Sequence, residues 1–330
     1  MRKVTILIPA YNEQEVLYSL HDRLNEVIDQ ISMYDFEILF VNDGSTDDTL
    51  SIIKGIREYD KRISYVDLSR NFGKETAMIA GLDYVDSDAV IIIDADLQDP
   101  PELIPEMIKY WEEGYDDVYA KRESRAGETW LKKWTASRYY KILEKVADIP
   151  IQRNTGDFRL LDRRCIHALR QLRETQRYTK GMFSWIGFNK KEILYNRDPR
   201  AAGTTKWNYL KLMNLAIEGI TSFTIAPLRL SAIFGFVVSI AAFCYLIVIV
   251  AKTLLLGEAV QGYPSLMAVI LFLGGIQLIS LGIIGEYLGR VFNETKRRPL
   301  YFVDEYNGEK MKNEPTKIHV DSLSKVGAGK

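Results

Sequence analysis

The sequence predicts an α/β domain built on a largely parallel sheet, followed by two helices that cross a membrane. Three observations carry that expectation. Over residues 1–120 short apolar runs alternate with amphipathic helical patterns. Residues 230–251 and 259–285 contain no charged side chain at all. Two carboxylates, Asp94 and Asp96, directly follow the apolar run Ala89-Val90-Ile91-Ile92-Ile93.

The elements follow in order. Val4–Ile8 is too short for a signal peptide, has no small-residue cleavage site behind it, and reads as a first buried strand closed by Pro9. Residues 15–31 place Val16, Leu20, Leu24, Val27 and Ile31 on one helical face. Phe36–Val41 is the second strand and runs into Asn42-Asp43-Gly44-Ser45-Thr46-Asp47, a glycine turn with polar caps for a helix over 49–59. Residues 63–68 form a third strand and 76–84 a helix. The β-branched run 89–93 is a buried central strand. Pro101 is placed to open a helix through Trp111, and 118–120 is a short strand.

The middle of the chain is basic and aromatic. Lys121, Arg122 and Arg125 precede Trp130-Leu131-Lys132-Lys133-Trp134, and Trp207-Asn208-Tyr209-Leu210-Lys211-Leu212 comes later. Both stretches read as amphipathic helices at a lipid surface, with rings in the interface and cations at headgroups. The two uncharged runs are long enough to span a hydrocarbon core. Arg229, Arg290, Lys296, Arg297 and Arg298 flank them on the side of both termini, while the intervening loop carries Lys252 and Glu258. The termini are therefore expected in the cytoplasm. Four segments result: a core over 1–120, an acceptor-binding part over 121–227, a helical hairpin over 228–291 and a tail over 292–330, with residues 307–330 polar and expected to be disordered.

Composition narrows the chemistry. Mean hydropathy is −0.11, so apolarity is localised. A net charge of −1 argues against nucleic acid as a partner. Cys165 and Cys244 lie in different regions, which disfavours a disulfide or a thiolate metal site. No G-x-G-x-x-G or G-x-x-x-x-G-K-[ST] is present, and none of His21, His167 and His319 adjoins a nucleophile motif. Dehydrogenase, P-loop and Ser-His-Asp chemistries are thereby disfavoured. Paired carboxylates at the C-terminal end of a sheet strand suit a hard divalent ion, whose remaining ligands come from a nucleotide diphosphate.

The ordered set Pro9-Ala10-Tyr11-Asn12-Glu13, Val41-Asn42-Asp43-Gly44-Ser45, Asn71-Phe72-Gly73-Lys74 and Asp94-Ala95-Asp96-Leu97-Gln98-Asp99 resembles the family 2 glycosyltransferases of GT-A fold. Asn154-Thr155-Gly156-Asp157-Phe158-Arg159-Leu160, Gly203-Thr204-Thr205-Lys206-Trp207-Asn208-Tyr209, and residues 272–278 through 285–290 are similar to the polyprenyl-phosphate glycosyltransferases. These include the bactoprenol glucosyltransferases and, more distantly, dolichyl-phosphate mannose synthase. The resemblance covers roughly residues 3 to 303.

That resemblance implies inverting, metal-dependent transfer of a sugar, first glucose from UDP-glucose, to polyprenyl phosphate at the cytoplasmic face of the plasma membrane. The product then serves cell-envelope glycan modification. It implies a GT-A sheet with interfacial helices and a transmembrane hairpin, and a homo-oligomer through the membrane helices. Pro9, Tyr11, Glu13, Asp43, Gly73, Lys74 and Asp94 match nucleotide-sugar positions, with Asp43 suited to the imide proton of uracil. Asp94, Asp96 and Gln98 match the ligands of Mg²⁺ or Mn²⁺. Arg200 and Lys206 match the basic pair at the donor diphosphate, and Arg122, Lys133 and Ser137 the acceptor-phosphate positions. Asp157 matches the position usually read as a base; it equally suits orienting the acceptor or holding an arginine such as Arg159. Two rivals are a processive polysaccharide synthase, whose Q-x-x-R-W is not met by Gln176-Arg177-Tyr178, and a non-catalytic membrane sensor of nucleotide sugars.

Overall fold

A computed structural model describes residues 1–123, 155–175, 177–196, 221, 224–256 and 262–311. The described residues fall into two units. One gathers those up to Asn196 together with those from Pro299 onward, and the other runs from Thr221 to Arg298.

The first unit is one nine-stranded mixed sheet with helices packed on it. β1 (Arg2–Ala10), β2 (Tyr34–Asn42), β3 (Ile63–Leu68) and β4 (Ala89–Ile92) are its parallel centre. Strands buried on both faces need continuous apolar sequence, and Val4, Ile6, Ile38, Phe40 and Ile91 are fully buried. Among these four strands the order is β4-β1-β2-β3. The chain grows from β1 towards β3, then returns to place β4 on the other side of β1. This reversal opens a crevice at the C-terminal ends of β1 and β4, where open α/β sheets take ligands.

Helices supply the cover. α1 (Leu17–Ile28) buries Leu17, Leu20, Leu24 and Val27, close to the face expected from the sequence. α2 (Thr49–Tyr59) follows β2, and α3 (Lys74–Tyr84) follows β3. α3 lies so close to the sheet that a Cβ on Gly81 would stand 2.2 Å from Leu7 and 2.8 Å from Val41. The helix begun by Pro101 opens with one 3₁₀ turn, Pro101–Leu103, before α4 (Ile104–Glu112).

The short strand expected at 118–120 is the centre of a longer one, and after it the sheet continues where the sequence pattern shows no strand. β5 (Asp117–Arg122) pairs with β6 (Thr155–Asp162), which is antiparallel to both β5 and β4, and β7 (Lys190–Tyr195) flanks β5 in parallel. α5 (Arg163–Gln171) and α6 (Thr179–Trp185) lie between β6 and β7 in the chain. Because β6 runs backwards, its N-terminal end meets the C-terminal ends of β4 and β5. Ile92 pairs with Arg159 and Lys121 with Thr155, so Asp94, Asp157 and Arg122 reach the same rim.

Residues 301–311 also belong to this unit. β8 (Val303–Tyr306) pairs antiparallel with β3, and β9 (Glu309–Lys310) pairs with β8. Glu305 is 2.8 Å from Lys54 and accepts from the Tyr65 hydroxyl. Asn307 accepts from the Tyr65 N–H at 2.9 Å, and Tyr301 donates to Asp83 at 2.7 Å.

The second unit holds α7 (Ala226–Leu256) and α8 (Tyr263–Thr295), which pack on each other. Both are long and apolar enough to cross a membrane, and neither apolar window is buried within the protein. The Tyr287 hydroxyl donates to the Thr224 carbonyl at 2.6 Å.

Candidate functional site

The rim of the crevice is built from loops that bind one another through polar side chains. After β1 the chain turns through Asn12, at φ 56°. The Asn12 side-chain oxygen Oδ1 accepts from the Thr46 N–H at 2.8 Å, and the Asn12 backbone N–H donates to the Ser45 hydroxyl at 3.0 Å. The Glu13 N–H donates to the Thr49 hydroxyl, and Gln14 accepts from the Asp48 N–H. The P-A-Y-N-E and V-N-D-G-S stretches are therefore one wall. Pro9 lies in the sheet opposite Val41, while Tyr11 is exposed above it.

Asp43 joins this wall to the next loop. It is buried, and its two oxygens accept from the N–H groups of Phe72 at 2.7 Å and Gly73 at 2.9 Å. Burial raises its pKa against the pull of those two donors. Each carboxylate oxygen has a second lone pair, so the bonds leave room for one further donor. Gly44 is required here. Its φ is +62°, and a Cβ would lie 2.3 Å from the backbone of Arg70.

Lys74 opens α3 directly after this grip, and its ammonium bridges two strands. It lies 2.6 Å from Asp94, after β4, and 2.5 Å from Asp157, on β6. Burial opposes the lysine charge, but the two carboxylates overcome it and hold its pKa well above the ordinary value. Burial likewise works against ionised Asp157, yet Lys74 and then Lys180 bring its pKa below the ordinary carboxylate range. Among the described residues, Asp157 Oδ1 is buried without a hydrogen-bond partner. Asp96 accepts from the Gln98 N–H at 3.2 Å, and Leu97 between them takes φ 59°.

On the far side stands Arg122, whose Nε is 3.4 Å from the Tyr195 hydroxyl. That hydroxyl donates to buried Asp99 at 2.7 Å. A Cβ on Gly156 would meet the Arg122 guanidinium at 3.5 Å, which sets the cation beside Asp157's own strand. Burial lowers the Arg122 pKa, but Tyr195, Asp99 and Asp94 raise it overall.

The structure brings Lys74, Asp94, Asp157 and Arg122 together, with Asp43 behind them. Asp96 and Gln98 lie on the same loop as Asp94. Arg159 forms its ion pair with Asp117 at 3.1 Å, both side chains fully buried, and stacks on Phe183. Asp157 forms an ion pair with Lys74, and the Arg159 charge also favours its ionised form. Arg200, Lys206, Lys133 and Ser137, and both proposed interfacial helices, lie outside the described residues.

Motif reading gives no role to Asp99, Tyr195, Glu75 or Lys180. Asp99 sits within the acidic motif, and the others carry no local signal. Glu75, in the first turn of α3, accepts from the Thr179 N–H at 2.9 Å. Burial and then the charge of Asp157 raise its pKa to about 7.

A divalent ion suits the oxygen donors of Asp94 and Asp96. Among the described residues no cluster of three or more His, Cys, Asp or Glu exists to cage one. A site with so few protein ligands fits an ion that keeps oxygens from another source, as Mg²⁺ does on a diphosphate.

A mixed sheet with an acidic motif at its switch point and cations opposite defines a transferase of activated, negatively charged donors as the class to test. The chain belongs to glycosyl transferase family 2, whose pattern matches residues 5–170, and residues 226–291 match the GtrB C-terminal hairpin. The protein is thus a glycosyltransferase with a GT-A-like sheet and a C-terminal pair of apolar helices. An uncharacterised glycosyltransferase of Synechocystis sp. is 51% identical over 93% of this chain and 96% of its own length. A prophage bactoprenol glucosyl transferase homolog of Escherichia coli is 44% identical over 91% of this chain and 98% of its own. The bactoprenol glucosyl transferase of Shigella phage SfX is 43% identical over the same shares.

Proposed function

We propose that the protein transfers glucose from UDP-glucose to a polyprenyl phosphate at the cytoplasmic membrane face, with inversion at the anomeric carbon. Relatives named bactoprenol glucosyl transferase, similar over nearly their whole length, support the lipid acceptor and the sugar. The two long apolar helices support a membrane location with a hairpin topology. The observation that carries the reading is the convergence of Lys74, Asp94, Asp157 and Arg122 on the rim beside the loop stitched by Asp43.

The nucleoside lies against the wall of Pro9, Tyr11, Glu13 and Asp43, with Gly73 and Lys74 beside it. Asp94 and Asp96, with Gln98, hold Mg²⁺ or Mn²⁺, which when bound supplies counter-charge to the departing diphosphate. Arg200 and Lys206 add to that charge from the sequence motifs that carry them. Arg122, held by Tyr195 and Asp99, faces the acceptor phosphate, with Lys133 and Ser137 as further contacts.

Asp157 is read as an orienting carboxylate. The charges of Lys74 and Lys180 hold its pKa below the ordinary carboxylate range, which favours the ionised form. A monophosphate acceptor, whose second ionisation falls near pH 6, needs little help to lose a proton. Its buried Oδ1 is left for a hydroxyl of donor or acceptor. Catalysis then rests on positioning and on charge stabilisation of the leaving group.

The test is product formation by full-length protein in lipid or detergent, given UDP-glucose and undecaprenyl phosphate and read by mass analysis of extracted lipid. A polyprenyl-phosphate hexose should appear, and chelator or Asp96→Ala should abolish it. Full activity in chelator, with metal absent by elemental analysis, removes the metal from the proposal. A lipid bearing many hexoses favours the processive synthase, and donor binding without any product favours the sensor.

A further inference from the structure

Lys74 is fixed from two directions. Its backbone follows Phe72 and Gly73, both held by Asp43, and its ammonium is held by Asp94 and Asp157 at 2.6 and 2.5 Å. The Lys74 side chain is 43% exposed, although Asp94 Oδ1 and Asp157 Oδ1 are themselves buried. One of its two carboxylates is the first acid of the D-A-D motif. A cation already seated on that carboxylate competes with any other.

Deepening the reading above, on which it rests, we propose that Lys74 is a resident counter-cation. In the donor-free protein its ammonium occupies the gap between Asp94 and Asp157, and it must release Asp94 before a divalent ion can take that carboxylate. The lysine keeps Asp157 when Asp94 is given up, so the orienting carboxylate stays ionised through the exchange. A free ion meets a repulsive ammonium at the site. An ion that comes with a nucleotide diphosphate brings compensating negative charge, and the lysine then opposes it far less. Lys74 thereby acts as a positioning residue that makes metal capture depend on the nucleotide.

The sign of the effect separates this role from a structural one. An ammonium about 5 Å from a divalent ion weakens its binding on the order of tenfold, even at the dielectric of water. Removing the ammonium should therefore tighten binding of the metal alone, whereas removing a mere brace should loosen it. Mn²⁺ is titrated into the full-length protein in detergent, with and without saturating UDP, and free Mn²⁺ is read by electron paramagnetic resonance.

Wild type should bind Mn²⁺ weakly alone and much more tightly with UDP. Lys74→Met should bind Mn²⁺ alone on the order of tenfold more tightly than wild type, with a smaller gain from UDP. Lys74→Arg, which keeps the charge, should behave like wild type. Unchanged or weaker Mn²⁺ binding by Lys74→Met overturns the inference, as does a wild type that binds no Mn²⁺ even with UDP. Failure of the functional reading shows differently: wild type then forms no glucosyl lipid, whatever the lysine variants do to the metal.

Discussion

Replacing Glu75 by Gln should stabilise the catalytic unit at pH 8 and do much less at pH 5. In the native protein Glu75 is partly buried beside Asp157, within the fields of Lys74 and Lys180, and its pKa stands at about 7 against an ordinary 4.5. Below pH 4 the carboxyl is protonated in both folded and unfolded chains, so it costs nothing. As pH rises through 4.5 the unfolded chain ionises while the folded one still holds its proton. Stability then falls by about 1.4 kcal/mol per pH unit until the folded carboxyl ionises near 7. Above that the penalty is level, at most about 3 kcal/mol. Glutamine stays neutral and still offers an oxygen to the Thr179 N–H. Its advantage over wild type should widen by roughly 2–3 kcal/mol between pH 5 and pH 8. Pulse proteolysis of the detergent-solubilised protein across a urea series measures this at each pH. With a slope of about 3 kcal/mol per M, the midpoint gap should grow by somewhat less than about 1 M. A gap that does not change with pH would refute the argument, because it would show that Glu75 ionises alike in both states.

Arg159→Met should destabilise the unit by about 3–5 kcal/mol by leaving fully buried Asp117 without its cation, and adding Asp117→Asn should restore part of the loss; urea midpoints decide it. Arg122→Ala should leave UDP-sugar binding nearly intact by calorimetry while losing turnover with polyprenyl phosphate, whereas Lys206→Ala should weaken donor binding itself. Equal loss of donor binding in both variants means that the two phosphate sites have been assigned wrongly. A Glu258→Cys variant should react with an impermeant thiol reagent from outside intact cells, while a cysteine at Lys310 should not. Protection of the first with labelling of the second reverses the topology.

The four central parallel strands are legible because burial on both faces leaves continuous apolar runs such as Ala89–Ile93. β6 is equally buried, but it carries Asp157 and Arg159, and their burial depends on Lys74 and Asp117 from distant segments. No window of sequence shows such partners. β8 is hidden for a different reason: as a strand near the sheet's edge it carries Asp304 and Glu305, which suit that position and break the apolar signal. At the site, Asp43, Asp94 and Arg122 are each visible from motifs. What motifs do not reveal is their wiring. Asp43 grips the loop before Lys74, Lys74 joins β4 to β6, and Tyr195 with Asp99 steadies Arg122. These contacts arise from strand order, above all from β6 running against its neighbours.

The late return of the chain to β3 has a consequence for biosynthesis. Glu305 meets Tyr65 across a sequence separation of 240 residues, and both apolar helices are made in between. At roughly 5–20 residues per second, the outer edge of β3 waits on the order of ten to fifty seconds for its partner strand. During that time it is an open row of backbone donors and acceptors of the kind that templates aggregation. Residues 303–306 can reach it only after the ribosome has passed the whole hairpin. A nascent chain truncated before residue 303 should therefore keep an exposed edge however well the preceding strands have folded, and β8 serves as a mark that synthesis has run past the helices.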